Sequence, residues 1–327
     1  SSDLFMNTKE KVVVMGHRLP DADSFGAAIG IYRAAKTLNK KAYIVIDNPT
    51  SSIIPLMNTF RDNQDYEADM FVNNHEAKEI MDDNTLLVVV DTNKPSITQC
   101  EDLLYMAKMI VVLDHHRQGS DTIRNSVLSY IEPYASSASE MVAEILQYFT
   151  EGIRIRNVEA DSIYAGIMID TDNFMQKTGV RTFEAAAFLR RCGADVTRVR
   201  KLFREDMNDY KARGETIRNA ELFRGQFAIS ECPSDYVDSP TVVGAQAANE
   251  LLNIVGVKAS FVLTEYKGVI YISARAIDEV NVQIIMERMG GGGHLNMAGC
   301  QLETVNMEGA RNLLKSTLTE MQDGGEI

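Results

Sequence analysis

The sequence predicts an α/β protein: a parallel sheet with helices on both faces, followed by a smaller α+β domain. Two observations carry the first half of this. Apolar runs such as Val12-Val13-Val14-Met15, Leu86-Leu87-Val88-Val89-Val90 and Ile110-Val111-Val112-Leu113 read as strands buried on both faces, the habit of parallel sheets. Helical patterns alternate with or follow these runs, which is the rhythm of βαβ units. A third observation carries the second half: beyond residue 222 the order becomes strand, helix, strand, strand, helix, helix.

In chain order, strands are expected at residues 12–16, 41–46, 86–91 and 109–113. Helices are expected at 24–38, 139–150, 160–169, 182–191 and 196–203. Ser24 is the expected cap of the first of these helices; Ser136 and Ser137 read as caps of the second or as phosphate contacts, with capping the reading taken. His75 reads as a helix-start residue. The polar, helix-compatible stretch 205–222 reads as a helical connector between a domain spanning 1–204 and one spanning 223–327. In the latter, strands are expected at 227–230, 260–266 and 269–275, with helices at 244–254, 282–289 and 307–321.

Composition sets limits. The 327 residues are 45% hydrophobic and 24% charged, an ordinary globular balance with room for two domains. The net charge of −13 argues against a groove for long nucleic acid, which is usually basic. A small anion held by cations and a few arginines fits better. The four cysteines form no CxxC pair and read as reduced thiols of a cytoplasmic protein. No apolar run is long enough to span a bilayer, so no direct membrane contact by this segment is expected.

The chemistry lies at the ends of the apolar elements. The first strand runs into His17, Asp21 and Asp23, the strand at 86–90 into Asp91, and the strand at 109–113 into Asp114, His115 and His116. The helix at 160–169 ends on Asp170. Open α/β sheets place ligands at the carboxyl ends of their strands, and carboxylates with imidazoles are costly to bury unless something binds them. The set suffices for two divalent ions with one carboxylate bridging. Mixed His/Asp donors suit manganese or iron better than magnesium. Two ions about 3.5–4 Å apart would activate a bridging water for attack on phosphorus. Asp114 has two readings, as a ligand or as a group that orients an imidazole. His115 is expected from the strand nearest the sheet centre.

These residues carry a resemblance. HRLPDAD, VVVDT, LDHHR and IMIDTDNF are similar to the four motifs of the DHH phosphoesterase superfamily, and Gly290-Gly291-Gly292-Gly293-His294 resembles the glycine-rich loop of its associated substrate-binding domain. Longer segments, including VMGHRLPDADSFGAAIGIYR and NVQIIMERMGGGGH, resemble the catalytic region of membrane-anchored cyclic-di-AMP phosphodiesterases of the GdpP type. The resemblance implies a manganese-dependent bacterial hydrolase in second-messenger signalling that opens cyclic di-AMP to linear pApA. It implies a cytoplasmic-facing fragment of a membrane-anchored parent, and a homodimer. By position, His17, Asp21 and Asp91 would hold one ion. Asp23, Asp91, His115 and Asp170 would hold the other, with Asp91 bridging. His116 would meet the scissile phosphate, making His116 and Asp91 the catalytic pair.

On the substrate side, Gly291, Gly292 and Gly293 with His294 are expected to form an anion-binding nest. The resemblance implies that Arg275 reaches a phosphate, which suits its planar fork; by itself it reads as an exposed surface arginine. Arg117 has two readings, a phosphate contact or a pair with an acidic neighbour. Catalysis is expected to draw on both domains. The alternatives are a nanoRNA or pApA hydrolase that also dephosphorylates 3′,5′-bisphosphate adenosine, and a sensor that binds cyclic dinucleotides without turnover.

Overall fold

The computed structural model describes residues 2–150, 152–204, 206–277 and 280–327. The chain divides into two compact units, Ser1–Arg204 and Glu205–Ile327.

The first unit runs α1 (Ser2–Asn7), β1 (Lys11–Met15), α2 (Ala22–Thr37), β2 (Lys41–Val45), α3 (Ile54–Arg61), β3 (Phe71–Val72), α4 (Asn74–Ile80) and β4 (Thr85–Val90). It continues with α5 (Asp102–Met106), β5 (Ile110–Asp114), β6 (Leu128–Ile131), α6 (Ala138–Gln147), α7 (Asn157–Asp170), α8 (Val180–Arg191) and α9 (Val196–Leu202). Its sheet has the order β3-β2-β1-β4-β5-β6, and every pair is parallel. The alternation of strand side chains explains the unbroken apolar runs. Val12, Val14, Leu86, Val88 and Val90 enter one core, while Val13, Met15, Leu87 and Val89 enter another on the opposite face. Each face is covered by helices, as parallel sheets require.

The order reverses between β1 and β4. The chain leaves β1 toward β2 and β3, then returns to β4 and proceeds to β5 and β6. Such a switch point opens a crevice beyond the strand ends, where ligands of doubly wound sheets bind. β5 is second from the edge, so the expectation that His115 follows the most central strand is corrected: β1 and β4 occupy the centre.

Three helices pack closely enough to bring distant ends together. A Cβ on Gly26 of α2 would lie 2.6 Å from the Ser162 carbonyl of α7, and one on Gly166 of α7 would lie 2.2 Å from Ser139 Oγ of α6. Only hydrogen fits at such contacts. The α2 cap also differs from expectation. Asp21 is the N-cap and accepts from the Ser24 N–H at 2.9 Å, so Ser24 lies in the first turn. At α6 the cap is Ser137, which accepts from Glu140 N–H at 3.0 Å. α4 begins beside His75 on a capping box made by Asn73 and Glu76.

The second unit runs α10 (Met207–Arg218), β7 (Glu221–Phe223), β8 (Phe227–Cys232), α11 (Pro240–Leu251), β9 (Ala259–Tyr266), β10 (Val269–Ala276), α12 (Val282–Arg288), β11 (Gly292–His294), β12 (Met297–Leu302) and α13 (Met307–Asp323). Its mixed sheet has the order β11-β12-β10-β9-β8-β7. The stretch read as a connector holds α10, whose Ala212 joins Ala228 of β8 and Val243 and Ala247 of α11 in one core. Glu205, where that stretch begins, lies outside the described residues. The glycine run is part of the sheet rather than a free loop, since Gly292, Gly293 and His294 pair with Gly299, Ala298 and Met297.

Candidate metal and phosphate site

Six side chains named from the sequence converge in the first unit. His17 Nε2 lies 3.7 Å from Asp21 Oδ2 and 3.2 Å from Asp91 Oδ2. His115 Nε2 lies 3.4 Å from Asp91 Oδ1, 3.7 Å from Asp23 Oδ2 and 3.8 Å from Asp170 Oδ2. Donor atoms of His17, Asp21 and Asp91 lie within 4.8 Å of one another, as do those of Asp23, His115 and Asp170. The two oxygens of Asp91 therefore address two different imidazoles.

The backbone serves this arrangement. Asp91 directly follows β4 with φ +58°, a left-handed conformation that few non-glycine residues adopt. Gly16 joins β1 to the His17 loop, and a Cβ there would overlap Ser24 Oγ. Close packing of α2 on α7 sets the start of one helix beside the last residue of the other, so Asp23 and Asp170 both reach His115.

The cluster fits cations on its own observations. Asp91 Oδ1 and Asp170 Oδ2 are buried without a hydrogen-bond partner, although buried carboxylate oxygens are ordinarily satisfied. Burial disfavours a charged His17, but the facing carboxylates Asp21 and Asp91 outweigh it and raise the imidazole to about 10. His115 rises to about 9 in the same contest, burial being outweighed by Asp91 and Asp23. Burial, with the Asp91 charge second, pushes Asp23 well above the usual carboxylate range. Burial raises Asp170 as well, against the pull of His115. Neighbouring carboxylates thus compete for protons, and positive charge placed among them would relieve the competition.

The pair Asp114 and His116 plays a different part. Asp114 is wholly buried. Its Oδ1 accepts from the His116 backbone N–H at 3.1 Å and faces His116 Nδ1 at 2.8 Å. Nδ1 also lies 3.6 Å from Asp91 Oδ1, so His116 could be counted as a ligand through that atom. The shorter contact to Asp114 commits Nδ1 elsewhere and leaves Nε2 for a substrate. Of the two sequence readings of Asp114, the orienting one matches this geometry.

Sequence reasoning missed two features. Asp23 is gripped by the start of α6: its Oδ2 accepts from Ala138 N–H at 2.7 Å and its Oδ1 from Ser139 N–H at 2.8 Å. A helix N-terminus favours an anion, which fixes this carboxylate while each oxygen keeps a second lone pair. The other feature is Asn93, buried beneath the Asp114–His116 pair. An isolated Asn in a loop carries no signal in a sequence.

The substrate-side residues divide. Arg117 is exposed and has no ion pair among the described residues. Arg275 of β10 and His294 of β11 both stand in register with Met297 of β12. Residues directly opposite share a sheet face, so the two lie on one face, two strand spacings or about 10 Å apart. Arg275 Nε is buried and unpartnered, while its Nη1 donates to the Ala274 carbonyl at 2.9 Å. Gly292 shares that face, two residues before His294. The nest expectation needs adjustment at its start. The Gly290 and Gly291 amides already donate to the Glu287 and Met286 carbonyls at 3.0 and 2.8 Å, closing the end of α12.

Fold and site together define a doubly wound α/β protein with a metal-capable cluster at its switch point, followed by a second mixed-sheet unit. The DHH family N-terminal domain matches residues 11–167 and the DHHA1 domain residues 227–320. The chain belongs to the DHH family. It is 42% identical to the cyclic-di-AMP phosphodiesterase GdpP of Bacillus subtilis, over 96% of this chain and 48% of that protein. The chain thus spans about half the length of that relative. It is 24% identical to the bifunctional oligoribonuclease and PAP phosphatase NrnA of Thermus thermophilus, over 97% of this chain and 92% of that protein. The fold is shared with an exopolyphosphatase-related protein from Bacteroides fragilis, at a TM-score of 0.79 and 20% identity over 98% of this chain and 95% of that one. Among the described residues no helix is long and apolar enough to cross a membrane.

Proposed function

We propose that this chain is a metal-dependent phosphodiesterase that hydrolyses cyclic di-AMP to linear pApA. The observation that carries the reading is Asp91, whose oxygens face His17 and His115 separately at the sheet's switch point. Its 42% identity to a cyclic-di-AMP phosphodiesterase supports the substrate.

His17, Asp21 and Asp91 would hold one divalent ion, and Asp23, Asp91, His115 and Asp170 a second, manganese being favoured by the mixed donors. Ions bound there supply Lewis acidity toward a phosphodiester and lower the pKa of water. The chain's own residues do the rest. Asp91 acts as the shared ligand. His116, anchored through Nδ1, offers Nε2 to a phosphate oxygen or to the departing 3′ oxygen. Arg117 offers five donors beside it. In the second unit, Arg275 and His294 would grip a phosphate, with Gly292 and Gly293 allowing close approach. The described cysteines are all unpaired, which supports a reducing, cytoplasmic-facing location.

The second reading is a nanoRNA hydrolase and 3′,5′-bisphosphate adenosine phosphatase, favoured by the 24% identity to NrnA over 92% of that protein. Turnover of cyclic di-AMP, pApA and 3′,5′-bisphosphate adenosine by the same preparation, with manganese, separates the two. Preferential cleavage of the cyclic compound supports the first. Consumption of pApA far ahead of the cyclic form replaces it with the second, and binding of cyclic di-AMP without turnover leaves a sensor.

A further inference from the structure

Asn93 is 2% exposed and sits two residues past Asp91. Its Nδ2 donates to Asp114 Oδ2 and, at 3.2 Å, to the His116 carbonyl. Both neighbours are acceptors, so the amide must present its nitrogen to them. Its own backbone carbonyl accepts from Ile123 N–H at 2.9 Å, which anchors the residue. Asp114 belongs to none of the metal-capable groups among the described residues, and its two oxygens divide their work. Oδ1 accepts from the His116 backbone N–H and faces the ring Nδ1. Oδ2 takes Asn93.

We infer that Asn93 is a positioning residue: it locks the Asp114 carboxylate, which in turn keeps the His116 proton on Nδ1 and leaves Nε2 facing outward to a ligand. A wholly buried carboxylate that loses one donor is free to turn, and once turned it no longer fixes the ring. The same amide ties the chain just beyond β5 to the chain just beyond β4, so ring and tautomer are set together. The kinetic arm of the test rests on the phosphodiesterase reading. The spectroscopic arm does not.

The test uses the metal-free chain, with pH raised until the His116 ring signals stop moving, and reads ring 15N resonances by NMR. With five histidines in the chain, a His116→Gln variant assigns the signal. Wild type is expected to carry its His116 proton on Nδ1, and Asn93→Ala to redistribute it toward Nε2. Asn93→Asp sets two carboxylates against each other and disturbs the ring as well. Adding Asp114→Asn to that variant swaps amide and carboxylate and restores the donor–acceptor pair between the two positions, although the His116 carbonyl then loses its donor, so the proton returns to Nδ1 in part. With manganese and cyclic di-AMP, Asn93→Ala lowers kcat by about 10- to 100-fold, the usual cost of losing a group that orients another, with KM and manganese affinity unchanged. The swapped double variant recovers activity relative to Asn93→Asp. Unchanged His116 resonances in Asn93→Ala overturn the inference, as does a swap no better than Asn93→Asp. If Asn93→Ala fails to fold, the swap decides alone. If the ring responds as expected while wild type cleaves no diester, positioning stands and the phosphodiesterase reading falls.

Discussion

His17 Nε2 lies 3.2 Å from Asp91 Oδ2, although 74 positions separate the two residues. They stand just beyond β1 and β4, neighbouring parallel strands from which the chain departs in opposite directions. The pair therefore marks the crevice where doubly wound sheets bind ligands. Asp91 holds the position in a left-handed conformation, a strained state that surrounding structure must enforce.

Manganese should stabilise the wild-type chain by mass action, about 2.7 kcal/mol at one hundred times Kd. Asp91→Ala removes the only carboxylate shared by both proposed ions. Its melting temperature is expected not to move on manganese addition, and turnover is expected to vanish. Melts with and without the metal check this. An equal rise in both proteins would reject the shared-ligand assignment.

Glu159 anchors the start of α7, the helix that ends on Asp170. It is fully buried and accepts from Arg33 Nε at 2.8 Å, Tyr66 Oη at 2.9 Å and Arg156 N–H at 2.9 Å. Glu159→Ala strands the Arg33 guanidinium in the interior. Breaking a buried pair on one side costs about 3–5 kcal/mol, and urea denaturation should show a midpoint lowered accordingly. A change under about 1 kcal/mol, typical of exposed pairs, would mean that water reaches Arg33.

Glu67 supplies a pH signature outside the site. Burial works against its charge, but Lys36 and the Tyr32 hydroxyl, both at 2.5 Å, outweigh it and hold the carboxyl at about 2 rather than 4.5. The folded state therefore binds a proton less readily than the unfolded chain. The stabilisation is complete above the unfolded value of about 4.5 and disappears as pH falls toward 2. Comparing wild type with Glu67→Gln, the stability difference should shrink across that window. A difference constant from pH 6 down to about 2 would exclude the linkage.

Much of this was legible in the sequence because buried parallel strands are written as unbroken apolar runs, and their polar ends then stand out. His17, Asp91 and His115 announced themselves in that way, and so did Asp170 at the end of an apolar helix. The short β3 and the partly exposed β6 at the sheet edges lack such runs and went unread. Asn93 and the α6 amides on Asp23 were invisible for a different reason: their partners lie 21 and at least 115 positions away, and no local pattern encodes them. The glycine run was read as an anion-binding nest and not as a strand, because its pairing with β12 depends on a strand that the sequence pattern did not reveal.

That pairing separates the glycines by role. A Cβ on Gly291 would lie 2.2 Å from the Gly299 carbonyl and 2.4 Å from Cys300 Cβ, whereas one on Gly292 meets nothing within 4 Å. Gly291→Ala must push β11 away from β12, and overpacking of this kind costs about 1–3 kcal/mol. Gly292→Ala should leave the melting temperature unchanged. Its new methyl points to the face that carries Arg275 and His294, so it should weaken substrate binding and raise KM if that face grips phosphate. Melting curves for both variants, with KM for cyclic di-AMP in the second, test the two roles separately. A Gly292→Ala protein with wild-type melting and wild-type KM would remove this face from the proposed substrate contacts. A Gly291→Ala protein as stable as wild type would instead show that the β11–β12 hairpin is looser than its register implies.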